Sequence, residues 1–465
     1  MSGSAQELAR RLLSEATGGG VNSPRPAPAT SRPVSPAPGA AAPVTGRPRR
    51  GPGRQFADHP EVAAMAHRRA AIDAVYEQYG MPNPVFLLRE SANDTVIRWQ
   101  GRDLVNFGAY NYLGLSNHPK VVQAAKDALD TYGASASASR IVAGEIPLYA
   151  ELEQRLAGMY DVADALVTTS GYLTNAGVIG FLLRDGDVAV CDSLIHRSVV
   201  SGVQWSGARQ LTFRHNDPES LRSVLRMARA GFDRALVVIE GHYSMDGTIG
   251  VLPEIAAVAR EFDCAVMVDE AHSLGVFGAT GRGVREHFDL PGDAVDIWMG
   301  TLSKALGSCG GFVAGDADLI GAMKVCAPGV AMLSGGPAPS TIGAALAALD
   351  ILDMEPQRLA RLWSNAERFR GLLVDRELDL GVSDGTPICP VLVPQEFRAG
   401  YVAARLLQHG IYAGSITAPA VPVGSERLRF FLTSEHTPDQ LRDTADQLAA
   451  AVRAAEALPA VGGIG

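Results

Sequence analysis

No stretch of this 465-residue sequence stays apolar for the ~20 residues that a bilayer-spanning helix requires. Its first residues also lack the basic-then-apolar order of a secretory leader. Cysteine is scarce. Cys191, Cys264, Cys309, Cys326 and Cys389 are odd in number and scattered, with no Cys-x-x-Cys pair among them. That argues against a disulfide framework or a metal site and for free thiols in a reducing, cytoplasmic setting. Positive charge is not in excess either. With a formal net charge of -9, neither nucleic acid nor an anionic membrane is an expected partner. Internal repeats are absent. What remains, 47% hydrophobic and 20% charged residues, is ordinary for a soluble globular protein. The length implies a large domain with a smaller one beside it.

The chain changes character along its length. Ser4–Ala16 reads as a short helix or a frayed tail, with Leu8, Leu12 and Leu13 on one face. From Gly18 to about Gly53 it is rich in Pro, Ala, Gly, Ser and Arg, a composition that buries too little apolar surface to offset its ordering entropy. Residues 1–55 are therefore expected to be a disordered extension, and 56–110 an N-terminal segment. Glu61–Tyr79 and His118–Tyr132 read as helices, and Asp103–Asn106 as a strand. After Gly171 short apolar runs alternate with helical stretches. The runs are Asp187–Cys191, Arg209–Phe213, Ala235–Glu240, Ala265–Asp269, Asp296–Gly300 and Gly311–Ala314; Pro218–Arg229 and Glu254–Phe262 are among the helices. Buried strands separated by helices predict an α/β sheet, mostly parallel and covered on both faces. Residues 111–340 are expected to form this large domain. Residues 341–465 are expected to form a smaller C-terminal α+β domain, with helices over Arg358–Glu377 and Pro438–Ala455.

Three pieces fall at the ends of predicted strands, where open α/β sheets bind ligands. They are Val268-Asp269-Glu270-Ala271-His272, Gly300-Thr301-Leu302-Ser303-Lys304, and Thr169-Ser170-Gly171-Tyr172 leading to Asn175. Pyridoxal-5′-phosphate (PLP) chemistry needs a lysine to join the aldehyde and later take the substrate Cα proton, a carboxylate to keep the pyridine nitrogen protonated, and backbone N–H groups to hold the phosphate. Lys304, Asp269 and the Gly171–Asn175 turn suit those three tasks. Each has a bland alternative, Lys304 as a surface lysine, Asp269 as a helix cap and His272 as a satisfied core histidine, but Lys304 lies between an apolar strand and the Gly-rich run Leu306–Phe312, which favours the functional reading. The Gly-rich run Gly278–Gly283 is no dinucleotide fingerprint, because it does not join a strand to a helix in the required way.

Five motifs in order, Asn111-Tyr112-Leu113-Gly114-Leu115, Ser170-Gly171-Tyr172, Glu240–Gly247, Val268–His272 and Gly300–Lys304, resemble the α-oxoamine synthases. The resemblance runs from about Asn106 to about Ala450. It implies PLP as cofactor and the fold of PLP-dependent transferases of fold type I, with a mostly parallel seven-stranded sheet. It also implies a homodimer with the active site at the subunit interface. Catalytic roles pass to Lys304, His196, Asp269 and His272, with His196 stacking on the cofactor ring. Ser170, Gly171, Tyr172 and Thr301 would hold the phosphate. Ser244 would lie near the ring oxygen, and Ser334 would reach across the dimer. Arg429, with Arg427 as competitor, would grip the amino-acid carboxylate, and Asn111 would lie at the substrate end. No metal is implied.

Some positions depart from the family pattern. Gly133–Arg140 carries Ala and Ser where glycines are usual, Tyr149 replaces a common histidine, and Leu333–Pro337 lacks the usual Ser-Thr-Ser wording. The run Ala138–Leu148 is similar to members linked to polyketide or fatty-acid assembly. Ser139 occupies a position that is Thr in glycine-using members and Ser in alanine-using ones. The smaller side chain favours alanine or serine over glycine. The implied reaction is a decarboxylative Claisen condensation of a small amino acid with an acyl thioester, carried by coenzyme A or an acyl carrier protein. An aminotransferase or C–C lyase, or a catalytically silent partner subunit, are the alternatives.

Overall fold

In the computed structural model, residues 56, 59–78, 80–418 and 420–458 are described. The expected extension and the Ser4–Ala16 helix therefore lie outside the described residues. Residues 66–465 form one compact unit.

Seven short strands build the central sheet: β1 (Asp164–Thr168), β2 (Val188–Asp192), β3 (Arg209–Phe213), β4 (Ala235–Glu240), β5 (Ala265–Asp269), β6 (Ile297–Thr301) and β7 (Gly311–Gly315). Their spatial order is β1-β7-β6-β5-β4-β2-β3. β7 runs antiparallel to both neighbours, and every other pair is parallel. The strand expectations hold to within about one residue at each end. β1 is the exception, because the reading of alternating strands began after it.

The period of two along each strand divides the core. Val188 and Val190, Val237 and Ile239, Val266 and Val268, and Trp298 face one apolar layer. Ala189 and Cys191, Leu236 and Val238, Met267 and Met299 face the other. Helices Pro147–Tyr160, Pro218–Ala228 and Leu252–Glu261 cover the first layer; Gly171–Leu182, Arg197–Ser206 and Ala317–Cys326 cover the second. A sheet buried on both faces needs near-continuous apolar strands, and β4 (Ala-Leu-Val-Val-Ile-Glu) is buried at every position.

Helix Pro339–Met354 packs on Pro119–Tyr132, and beyond it Gln357–Val374, Glu396–Gln408 and Pro438–Glu456 surround a three-stranded antiparallel sheet. Arg427–Phe431 is the middle strand of that sheet, between Ile388–Leu392 and Gly414–Ile416. We assign this layer to the smaller C-terminal domain. The last helix starts on a reciprocal cap, with Thr437 and Gln440 each bonding the other's backbone N–H. Among the described residues, no helix is long and apolar enough to cross a membrane, and no cluster of metal-ligating side chains occurs. All five cysteines are free.

Candidate active site

The carboxyl ends of β1, β2, β4, β5 and β6 converge on one pocket. β5 and β6 are parallel neighbours, with Met299 opposite Asp269. Asp269 therefore ends one strand beside the turn that carries Lys304, and both line the pocket. The Asp269 carboxylate is buried and held from two sides: Asn175 Nδ2 donates to Oδ2 at 2.7 Å, and the Ala271 N–H donates to Oδ1 at 2.8 Å. Burial disfavours the Lys304 ammonium and pulls its pKa down to about 8, against the Asp269 and Glu240 carboxyls, which favour the charged form. Only an uncharged amine attacks an aldehyde. Cofactor-free protein is thus expected to capture PLP faster as the pH rises through about 8. Stopped-flow absorbance measures this, and a rate independent of pH in that range would contradict the geometry.

His272 stands behind Lys304 on the loop after β5. The Tyr112 hydroxyl lies 2.8 Å from its Nδ1, and its ring stacks on Phe431 at 6.1 Å. Burial holds the imidazole neutral, well below the usual histidine range, and raises the Tyr112 hydroxyl so that it stays protonated. With Tyr112 donating to Nδ1, the His272 proton sits on Nε2. His196 follows β2 and caps helix Arg197–Ser206, its Nδ1 accepting from the Ser198 N–H at 3.3 Å. Its ring borders the pocket and is open to solvent.

The phosphate end is equally readable. Ser170 precedes helix Gly171–Leu182 without capping it by its side chain, so the first-turn amides and the positive end of the helix dipole face the pocket. A Cβ on Gly171 would lie 3.0 Å from Thr301 Oγ1, tighter than ordinary van der Waals contact, so glycine suits the close approach between turn and strand. Tyr172 is exposed and hydrogen-bonds Ser201 Oγ at 2.7 Å.

Arg429 and Arg427 sit two residues apart on one face of the same strand, and their partners separate them. Arg427 is paired with Asp246. Arg429 is buried, lies 4.6 Å over the Phe431 ring, and donates Nη1 to the Ser244 carbonyl at 2.9 Å; its Nε has no partner. Among the described residues no carboxylate pairs with it.

Five residues from the sequence reading fall outside the pocket lining: Arg429 and Ser244, which bond each other through the Ser244 carbonyl, and Asn111, Ser139 and Ser334. Asn111 is buried, and its Oδ1 accepts from the N–H groups of Leu115 and Ser116, so its side chain shapes that turn. Ser139 bridges to Gly335, with its Oγ 3.4 Å from the Ala331 carbonyl. Ser334 lies in the same neighbouring segment, its Oγ donating to the Gly335 carbonyl. Tyr149 supports that segment by donating to the Pro337 carbonyl at 2.6 Å. Three pocket residues were not given these places by the sequence reading. Asn175 turns inward to Asp269 rather than serving only the turn, Ser198 lies behind His196, and Glu240 lines the pocket. Glu240 was legible from its place at the end of β4.

PLP fits this set on three grounds: an open helix N-terminus beside Thr301, a buried carboxylate held by Asn175, and a buried lysine whose ammonium is disfavoured by burial. Lys304 would bind its aldehyde, Asp269 would face its ring nitrogen, and the Gly171 turn with Thr301 would hold its phosphate.

Comparison with known proteins agrees. The model of the aminotransferase class I and II family matches residues 102–448. The 8-amino-7-oxononanoate synthase of Symbiobacterium thermophilum is 39% identical over 341 residues, which is 73% of this chain and 86% of that one. The serine palmitoyltransferase of Sphingobacterium spiritivorum is 35% identical over 368 residues, 79% of this chain and 91% of the other. A solved serine palmitoyltransferase from S. paucimobilis with bound PLP and myriocin superposes with a TM-score of 0.80 at 32% identity, over 87% of this chain and 99% of that one. With the seven-stranded sheet, the lysine–aspartate pair and these relatives together, the chain belongs to the α-oxoamine synthases, PLP-dependent acyltransferases of fold type I within the aminotransferase class I and II family.

Proposed function

We propose that this chain condenses a small amino acid (alanine, serine or glycine) with an acyl thioester, releasing CO2 and the free thiol and leaving an α-amino ketone. The observation that carries this reading is Arg429, a buried cation without an acidic partner among the described residues, whose charge acts on Lys304 and disfavours its ammonium. A lone buried charge is costly, and a substrate carboxylate supplies its missing partner.

When bound, PLP supplies an electron sink that makes the amino-acid Cα–H acidic. The chain's residues do the rest. Arg429 fixes the carboxylate, and with it the orientation of the Cα–H bond relative to the ring. Lys304 Nζ takes the Cα proton and returns one at the end. Asp269 holds a proton at the ring nitrogen. His272 would offer its Nε2–H to the ring oxygen of bound PLP. His196, with its proton on Nε2, meets the carboxylate side during CO2 loss. Alignment decides which bond breaks, so the gain comes mainly from orientation.

The thioester end is less defined. Ser139, Tyr149 and Ser334 lie on segments that pack together, and in a homodimer these would complete the acyl-donor side. The smaller Ser139 favours alanine or serine over glycine. A thiol-release screen across glycine, alanine and serine, with acyl-CoA and acyl-carrier donors, tests the assignment. Turnover of the amino acid that needs no thioester, by carbon–carbon cleavage or by amino-group transfer, would favour a lyase or an aminotransferase instead.

Arg429→Lys is expected to raise the amino-acid KM about tenfold or more, because a point charge replaces a bidentate fork. Thioester KM should change far less. Measuring both KM values decides it: a change confined to the thioester would move Arg429 to the other substrate.

A further inference from the structure

Asp269 ends β5 and His196 caps the helix after β2, yet one continuous hydrogen-bonded path joins them. Asn175 Nδ2 donates one proton to Asp269 Oδ2 at 2.7 Å and the other to Ser198 Oγ at 2.9 Å. Ser198 Oγ lies 2.7 Å from His196 Nδ1. Because Ser198 Oγ already accepts from Asn175, its own hydrogen is free to point at Nδ1, which the Ser198 N–H also approaches. Asn175 and Ser198 are almost wholly buried, so this order of donors is not open to exchange with water.

We propose that Asn175 and Ser198 are positioning residues that couple the carboxylate of Asp269 to the imidazole of His196. Asn175 spends both amide hydrogens on the path, which leaves its buried Oδ1 without a partner. A buried unsatisfied oxygen is a cost, and the orientation that incurs it is the one that gives Asp269 a donor rather than a repelling acceptor. Ser198 in turn forces the acceptor role on Nδ1, so His196 carries its proton on Nε2. The two groups assigned to the ring nitrogen and to the ring face are thereby set in one register, from helices Gly171–Leu182 and Arg197–Ser206, which pack together. This rests on the roles proposed above for Asp269 and His196.

The test compares Ser198→Ala and Asn175→Asp with the unmodified protein, each loaded with PLP. Ser198→Ala removes the hydroxyl and keeps the backbone cap. Asn175→Asp keeps the shape and replaces two donors with acceptors facing Asp269. Visible circular dichroism of the bound cofactor reports ring placement, and the PLP Kd and thermal midpoint report site integrity and folding. Expected results are a changed visible dichroism in both variants and a kcat lower by about tenfold for Ser198→Ala, the scale of one lost hydrogen bond. For Asn175→Asp the expected loss is about 10²-fold. The PLP Kd of Ser198→Ala should stay close to the unmodified value. Unchanged dichroism and kcat in Ser198→Ala would overturn the proposal, as would a kcat loss that only follows lost PLP affinity or stability in both variants. Should the unmodified protein bind PLP and release no thiol, the condensation reading fails, and the dichroism still decides the coupling.

Discussion

Replacing Lys304 with alanine is expected to abolish turnover while PLP still binds non-covalently. The lysine carries two tasks in one atom: Nζ joins the cofactor's aldehyde, and Nζ moves the Cα proton. Removing positioned proton transfer alone costs about 10²–10⁴-fold, and loss of the covalent anchor adds to it. Binding survives because the phosphate end rests on other groups, namely the amides at the start of Gly171–Leu182 and Thr301, and the ring end rests on Asp269. Purified Lys304→Ala protein is assayed for thiol release, and its retained PLP is counted by absorbance. Full activity in that variant would remove the basis of the site assignment.

Asp269→Asn should give the second-largest effect, a fall in turnover of about 10²–10³-fold, comparable to deleting one pre-organised electrostatic group from an active site. An amide of the same shape cannot hold the proton at the ring nitrogen. It also meets Asn175 Nδ2 donor to donor, or else surrenders the Ala271 N–H bond. The stability loss is about 1–3 kcal/mol, that of one disrupted buried hydrogen bond. The fold can absorb that, so the variant should be folded, PLP-binding and slow. Near-normal turnover would reduce Asp269 to a cap for the Ala271 turn.

Much of this was legible in the sequence, for physical reasons. Buried parallel strands must be apolar along their length, so β4 and β5 stand out as unbroken runs, and residues at their carboxyl ends become candidates without knowledge of the fold. Asp269, Lys304, His272 and the Ser170–Gly171 turn were found that way. β1 was missed because Asp164–Thr168 offers only three apolar residues, Ala165 to Val167, before Thr168 and the turn. The resemblance put Arg429 ahead of Arg427, but strand geometry alone cannot separate them, because a spacing of two places both on one face. The deciding fact is tertiary: Asp246 arrives from the loop after β4 and neutralises Arg427 alone. Asn111 belongs to a resembling motif, yet its oxygen is spent on the Leu115 and Ser116 amides, a local capping role that a motif match does not reveal. Asn175 and Ser198 meet only because two helices pack side by side, which no local pattern encodes.

The central claim is that Lys304 and Arg429 serve one condensation in which carbon–carbon bond formation and loss of the amino-acid carboxylate are coupled. The direct measurement uses PLP-loaded protein, an amino acid labelled at its carboxyl carbon and an acyl thioester, with labelled CO2 and free thiol counted in the same reaction. The account predicts equal amounts of both, each requiring both substrates, and neither from Lys304→Ala. Labelled CO2 released without thioester, or thiol released while the label stays in the amino acid, would contradict it.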